Sequence, residues 1–171
     1  VDAASFDACG GASSMSEIAI QMMLNGVRIE AKVNARMHLA DFLRSRGDLP
    51  SMRVSCEYGV CGCCSIMVDG LVVRGCLMLA AQAHERDIRT IEGMMSETQD
   101  LRVAFVERNA MQCGYCTPAM ILTAYELLQK QPDADRETIR EGLSGNYCRC
   151  TGYHAIVDAV ATTAAKRRGG A

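Results

Sequence analysis

The sequence predicts an α+β chain, with a small sheet of hairpins in its first half and a four-helix arrangement in its second. Two patterns of apolar residues predict this. Up to about residue 92 apolar residues alternate at strand period around tight-turn dipeptides, and from about residue 93 they recur at helical spacing. A third observation links the halves: apart from Cys9, the ten cysteines fall into two groups, one in each half.

Residues 1–16 read as a flexible arm, small and polar, with Cys9 as a spare surface thiol. In 17–33, Ile18, Ile20 and Met22 alternate, Asn25-Gly26 turns the chain, and Val27, Ile29, Ala31 and Val33 alternate again, which predicts a hairpin. Leu39, Phe42 and Leu43 share one face of a short helix over 38–46, which Gly47 ends. Ser65–Val68, the turn Asp69-Gly70 and Leu71–Arg74 make a second hairpin that delivers Cys76. Ile88–Ile91 reads as one more strand. Two hairpins, a crossing helix and a late strand make a β-grasp-like sheet over 17–92.

The helical half spans 93–171. Leu101, Val103, Ala104 and Phe105 predict a helix over 97–110. Thr117 is expected as N-cap and Pro118 as the first residue of a helix to Lys130, its face set by Met120, Ile121, Ala124, Leu127 and Leu128. Pro132 stops it, and Asp135 caps a short helix through Leu143. Ile156, Val157, Val160, Ala161 and Ala164 stripe the last helix, with Lys166, Arg167 and Arg168 where cations suit the dipole. Taken alone, these stripes are core packing.

Cys56, Cys61 and Cys64 stand in the order C-x4-C-x2-C, and Cys76 follows after the second hairpin. This is the plant-type ferredoxin spacing for a [2Fe-2S] cluster. Gly59 and Gly62 allow main-chain N–H groups to close on the sulfurs. Structural zinc is the rival reading, although zinc favours C-x2-C pairs. Disulfides fit worse, because Cys56, Cys61, Cys63 and Cys64 are too crowded all to pair at normal Cα separations. The second group is Cys113, Cys116, Cys148 and Cys150. Each pair precedes a predicted helix, so two helix N-termini would face the negative charge of a thiolate-ligated cluster. Zinc is a closer rival here, its weakness being the short Cys148-x-Cys150 pair.

Composition narrows the function. With 18 basic and 20 acidic residues the net charge is −2, and there is no basic footprint for nucleic acid. No apolar run is long enough to cross a bilayer. A cytoplasmic location is expected, with an upstream targeting segment left open because the chain starts at Val1. His38, His84 and His154 stand in no Cys-x-His pair, so a Rieske-type centre is not supported.

The runs Gln112-Cys113-Gly114-Tyr115-Cys116-Thr117-Pro118 and Gly145-Asn146-Tyr147-Cys148-Arg149-Cys150-Thr151-Gly152-Tyr153 resemble the iron–sulfur segment of the xanthine oxidase family of molybdenum hydroxylases. The loop CEYGVCGCC resembles that family's CEGGVCGAC loop. The likeness runs from about Glu17 to Ala165, and the length matches the separate small subunit of three-subunit members.

The resemblance implies a plant-type ferredoxin domain and a helical domain, each with one [2Fe-2S] cluster. Cys56, Cys61, Cys64 and Cys76 would ligate the first, and Cys113, Cys116, Cys148 and Cys150 the second. Gln112 would hydrogen-bond the molybdopterin of a large partner subunit, and a medium partner subunit would carry FAD. The chain would relay single electrons from molybdenum to flavin, in a heterotrimer or a dimer of heterotrimers, while the complex oxidises a small organic substrate. The alternatives are a free-standing two-cluster ferredoxin and a zinc-stabilised interaction module. Three positions depart from the family: Cys63 stands where Ala is usual, Ser55 where Gly is common and Ala119 where Gly is usual. Cys63 opens a ligand swap with Cys64. Tyr115, Tyr147 and Tyr153 are expected to shield the helical site from water.

Overall fold

The computed structural model describes residues 17–169; the arm expected at 1–16, with Cys9, lies outside the described residues. Strands β1 (Glu17–Leu24) and β2 (Val27–Asn34) form the first hairpin. Asn25 and Gly26 turn it with φ of 51° and 81°, the left-handed geometry that lets two residues join twisted strands. Strands β3 (Ser65–Val68) and β4 (Leu71–Arg74) form the second hairpin, turned the same way by Asp69 and Gly70. Strand β5 (Asp87–Arg89) lies between them, antiparallel to β3 and parallel to β1, giving the sheet order β2-β1-β5-β3-β4.

Helix α1 (Leu39–Ser45) covers one face of the sheet. Leu39 and Leu43 join Ile20, Met22, Ile66 and Ile88 in a first core that also holds Cys64 and Cys76. Helices α2 (Gln99–Glu107), α3 (Thr117–Lys130), α4 (Arg136–Gly142) and α5 (His154–Gly169) build a second core around Leu101, Phe105, Met120, Ile139, Ile156 and Val160. All four residues of β3 are buried, because the strand is covered on both sides. Ile66 and Val68 belong to the first core, and Met67 to the second. Thus β3 is the wall between the halves, and the residues just before it are shared by both.

Several details differ from expectation. The α3 N-cap is Cys116, not Thr117; Cys116 already has near-helical φ and ψ (−83°, −13°), so Thr117 and Pro118 are both within the first turn. The Gly114 carbonyl accepts from the Thr117 amide at 3.3 Å, which starts the turn early. Strand β5 stops at Arg89, because the Thr90 amide is taken by Asn25 Oδ1 at 2.8 Å and Ile91–Met94 coil into a 3₁₀ turn. A second 3₁₀ turn, Ala80–Ala83, is too short to leave a period in the sequence. On the edge strand β2 only Val33 is fully buried, while Val27 is exposed. The Asp135 cap stands as expected, its side chain accepting from the Thr138 amide at 2.8 Å.

Candidate metal centres

The first cysteine loop has no regular structure, and its path is set by backbone conformation. Glu57, Gly59 and Gly62 all have positive φ. A Cβ on Gly59 would lie 2.4 Å from the Leu77 side chain, and one on Gly62 would lie 2.5 Å from the Gly145 carbonyl oxygen. The wrapped backbone turns its amides toward sulfur, as a cluster cradle requires. The Cys61 amide donates to Cys56 Sγ at 3.4 Å. That N–H, helped by those of Tyr58 and Val60, draws the Cys56 thiol down to about 6. Burial instead pushes the Cys64 thiol up to about 11, and Cys76 is buried beside it. Such a thiol becomes a thiolate when a bound cation takes the proton's place.

Cys63 and Cys64 turn opposite ways. Cys64 packs with Cys76 in the first core, whereas Cys63 packs in the second. Burial, then the neighbouring Cys61, pushes the Cys63 thiol up to about 12. The position where Ala is usual therefore points away from Cys76.

In the helical half, the two cysteine pairs meet. Cys113 and Cys150 are exposed, with their sulfurs 3.4 Å apart. Cys116 is buried, its thiol pushed up to about 12, and it lies against Cys148. Burial acts to raise the Cys148 thiol, but the Thr151 hydroxyl at 3.0 Å and amide at 3.4 Å hold it below its ordinary value. The Tyr115 amide reaches Cys113 Sγ at 3.5 Å. These donors come from the loops just before α3 and α5 rather than from the helices' first turns, a local form of the helix-end attraction expected from the sequence.

A cavity of about 470 Å³ is lined by Cys113, Cys116, Cys148 and Cys150 and also by Cys61 and Cys63. The two cysteine loops are therefore neighbours. Among the described residues, no three His, Cys, Asp or Glu side chains are grouped as a single metal ion would hold them. Both sets meet N–H donors, and the first also has a glycine cradle, which is the donor chemistry of an iron–sulfur cluster.

The aromatic shield is partial. Tyr153 is half-buried and its hydroxyl accepts from the Cys148 amide at 2.8 Å, but Tyr115 and Tyr147 are exposed at the cavity rim. Tyr115 donates to the Val54 carbonyl at 2.8 Å and lies under Arg53, whose guanidinium carbon is 5.3 Å from the ring centre. Gln112 is exposed next to Cys113. The histidines are exposed and away from the sulfurs: His38 precedes α1, His84 accepts from the Gln21 amide, and His154 lies 3.8 Å from Asp158.

Sequence reading missed Arg74 and Asn146. Asn146 is 1% exposed and spans both halves, donating to the Gly62 carbonyl at 3.3 Å. Arg74 donates to the Gly145 carbonyl at 2.7 Å. The Gly145-Asn146 dipeptide beside Cys148 was the only signal available.

A model of the 2Fe-2S iron-sulfur cluster binding domain matches residues 22–95, and a model of the [2Fe-2S] binding domain matches residues 90–161. The chain is 45% identical over 149 residues to the nicotine 6-hydroxylase small subunit of Paenarthrobacter nicotinovorans, covering 86% of this chain and 90% of that one. The chain belongs to the small iron–sulfur subunits of the xanthine oxidase family of molybdenum hydroxylases. It is 46% identical over 152 residues to caffeine dehydrogenase subunit gamma of Pseudomonas sp. (strain CBB1), covering 85% of this chain and 90% of that one. The crystal structure of quinoline 2-oxidoreductase from Pseudomonas putida 86 superposes with a TM-score of 0.83 at 41% identity, over 90% of this chain and 98% of that one. A small subunit of this family carries two [2Fe-2S] clusters and serves electron transfer within a multi-subunit oxidoreductase. Its fold is the ferredoxin-like β-grasp followed by the helical cluster domain. Among the described residues no helix is long and apolar enough to cross a membrane.

Proposed function

We propose that Cys56, Cys61, Cys64 and Cys76 hold one [2Fe-2S] cluster and Cys113, Cys116, Cys148 and Cys150 the other. The observation that carries this reading is the meeting of the two loops: the cavity lined by the second quartet is lined by Cys61 as well. Bound clusters supply one-electron exchange, at potentials near −400 mV for the plant-type centre, adjusted by hydrogen bonds and burial. This chain's part is to supply thiolates, to aim amides at them and to keep the two sites close. Cys64 is preferred to Cys63 as ligand because it shares a side with Cys76.

The chain works between two larger subunits, one with the molybdopterin centre and one with FAD, in a cytoplasmic heterotrimer. Gln112, exposed beside Cys113, meets the pterin. Electrons enter at the helical site, which the exposed Cys113 and Cys150 bring to the surface, and leave by the loop of Cys56. Exposed apolar side chains flank the loop of Cys56, namely Tyr58, Val60 and Leu77, and Met95, Val103 and Val106 line a separate groove with Met111 and Thr117. Clusters of this kind on a small chain fit partner interfaces. The working units are 17–92 and 93–171, which share β3 as a wall. Relatives named for nicotine, caffeine and quinoline support a nitrogen heteroaromatic as the substrate class, oxidised on the partner.

The test is the purified native complex. Iron, acid-labile sulfide, molybdenum and flavin are measured, and the reduced complex is examined by electron paramagnetic resonance (EPR). Two distinct diiron signals are expected, with Cys148→Ser removing one and Cys56→Ser the other. A single signal in the parent protein, or no loss in Cys148→Ser, defeats the ligand assignment.

A further inference from the structure

The backbone of one cysteine loop is hydrogen-bonded directly to the backbone of the other. The Tyr147 amide donates to the Cys61 carbonyl at 2.8 Å, and Tyr147 adjoins Cys148. Cys61 and Cys148 belong to different quartets, so this bond closes a short path between them, with main chain and one hydrogen bond throughout. A network of side chains clamps it on both sides.

The buried Gly62 carbonyl, next to Cys61, accepts from the Ser65 hydroxyl at 2.7 Å and the Ser65 amide at 3.1 Å. It also accepts from Asn146 Nδ2 at 3.3 Å. The Thr123 hydroxyl orients Asn146: it is shared between the Ala119 carbonyl at 3.0 Å and Asn146 Oδ1 at 3.1 Å. Arg74 grips from the sheet, with one arm on the Ser65 hydroxyl and the other on the Gly145 carbonyl at 2.7 Å. Gly62 must lack a Cβ, which would strike Gly145. A fully buried asparagine with its donor and acceptor both engaged across two halves of a molecule fixes their register, since slippage would strand polar groups away from water.

We propose that Asn146 and Arg74 are positioning residues that hold the Cys61 carbonyl–Tyr147 amide bond in register and so set the electronic coupling between the two halves. The inference rests on the ligand assignment above. The transfer concerns one electron at a time, with no bond made or broken and no proton needed at the contact. A clamp serving stability alone would alter unfolding without altering coupling at full cluster content.

The experiment uses the native complex with Asn146→Ala, Arg74→Lys, Thr123→Val and Thr123→Ser chains. Lysine keeps the charge of Arg74 but lacks the fork that bridges Ser65 and Gly145. Iron content and each cluster's potential are measured, then the magnetic splitting between the reduced clusters and the rate of electron re-equilibration after flash reduction. At full iron content and unchanged potentials, Asn146→Ala, Arg74→Lys and Thr123→Val are expected to narrow the splitting by loss of its through-bond part. Re-equilibration is expected to slow several-fold, and Thr123→Ser restores parental values. Parental splitting and rate in Arg74→Lys and Thr123→Val, with full iron, overturn the proposal. If Asn146→Ala fails to assemble, those two milder variants decide it. A parent protein with only one reduced signal sinks the ligand assignment instead, and the two failures are thereby distinguished.

Discussion

Among the described residues the Thr151 hydroxyl is the shortest donor to any sulfur, 3.0 Å from Cys148 Sγ, and its own amide adds a second at 3.4 Å. Donors to a ligating sulfur favour the reduced, more negative cluster and so raise its potential. Thr151→Val removes the hydroxyl and keeps the amide. A neutral hydrogen bond is worth about 1 kcal/mol, so the potential of one centre should fall by about 40 mV for a one-electron couple. Redox titration followed by EPR checks this, with the other centre unmoved and Thr151→Ser near the parent. Equal shifts in both centres would mean a global change rather than a bond to one sulfur. Cys63 gives the complementary case. It packs in the second core, away from Cys64 and Cys76. Cys63→Ala should keep all the iron and both signals, at a cost of about 1 kcal/mol for the small void it leaves. Loss of the plant-type signal in that variant would make Cys63, not Cys64, the ligand.

At the scale of elements, the hairpin glycine Gly26 and the glycines of the first cysteine loop separate kinds of crowding. Gly26 and Gly59 have similar positive φ, but a Cβ on Gly26 meets nothing, whereas one on Gly59 meets the end of the flexible Leu77 side chain. A Cβ on Gly62 meets the Gly145 carbonyl, which is backbone held by Arg74. Gly26→Ala should therefore cost only the left-handed strain, about 1–2 kcal/mol. Gly59→Ala should cost little more, because Leu77 can turn aside. Gly62→Ala should cost the most and displace the two cysteine loops from one another. Denaturant midpoints of the three variants rank them, and a Gly62→Ala protein as stable as Gly26→Ala would refute the tight apposition. The same elements show what the sequence could reveal. Both hairpins were legible from Asn25-Gly26 and Asp69-Gly70, because only a few residue types accept φ above zero twice in succession. The four helices were legible from their stripes, and Asp135 from its cap. The N-cap of α3 was not, because Cys116 is drawn into near-helical geometry by the loop rather than by its own preference. The 3₁₀ turns were hidden by their length. The sulfurs could be read from spacing, but the clamp of Arg74 and Asn146 could not: its partners are the Gly145 and Gly62 carbonyls and the hydroxyls of Ser65 and Thr123, far apart in sequence and brought together only when the two halves dock.

At the scale of the whole molecule, the two cores do not depend on sulfur in equal measure with the loops. The helices pack through Leu101, Phe105, Met120, Ile139 and Ile156, and the sheet packs on α1 through Leu39, Leu43 and Ile88. Between them the segment 53–64 has no helix or strand. Arg53 at its start is held by the Gly114 carbonyl and the face of Tyr115, both in the second cysteine loop. Metal removal withdraws the strongest restraint from both loops at once, since ligand binding energy is folding energy for the segments that supply the ligands. The cores should survive while the loops open, because local opening follows from few buried apolar contacts rather than from global stability. Chelation under reducing conditions is therefore expected to leave most of the far-ultraviolet circular dichroism in place. Over the same interval trypsin should begin to cut after Arg53, a bond it spares while the clusters are bound. Arg46, exposed just after α1 and outside both cysteine loops, serves as the internal reference for protease activity. If the helical signal collapses together with the iron, the cores are not self-sufficient and the clusters are part of the global fold. If Arg53 stays resistant without iron, its contacts with Gly114 and Tyr115 hold the loops together on their own.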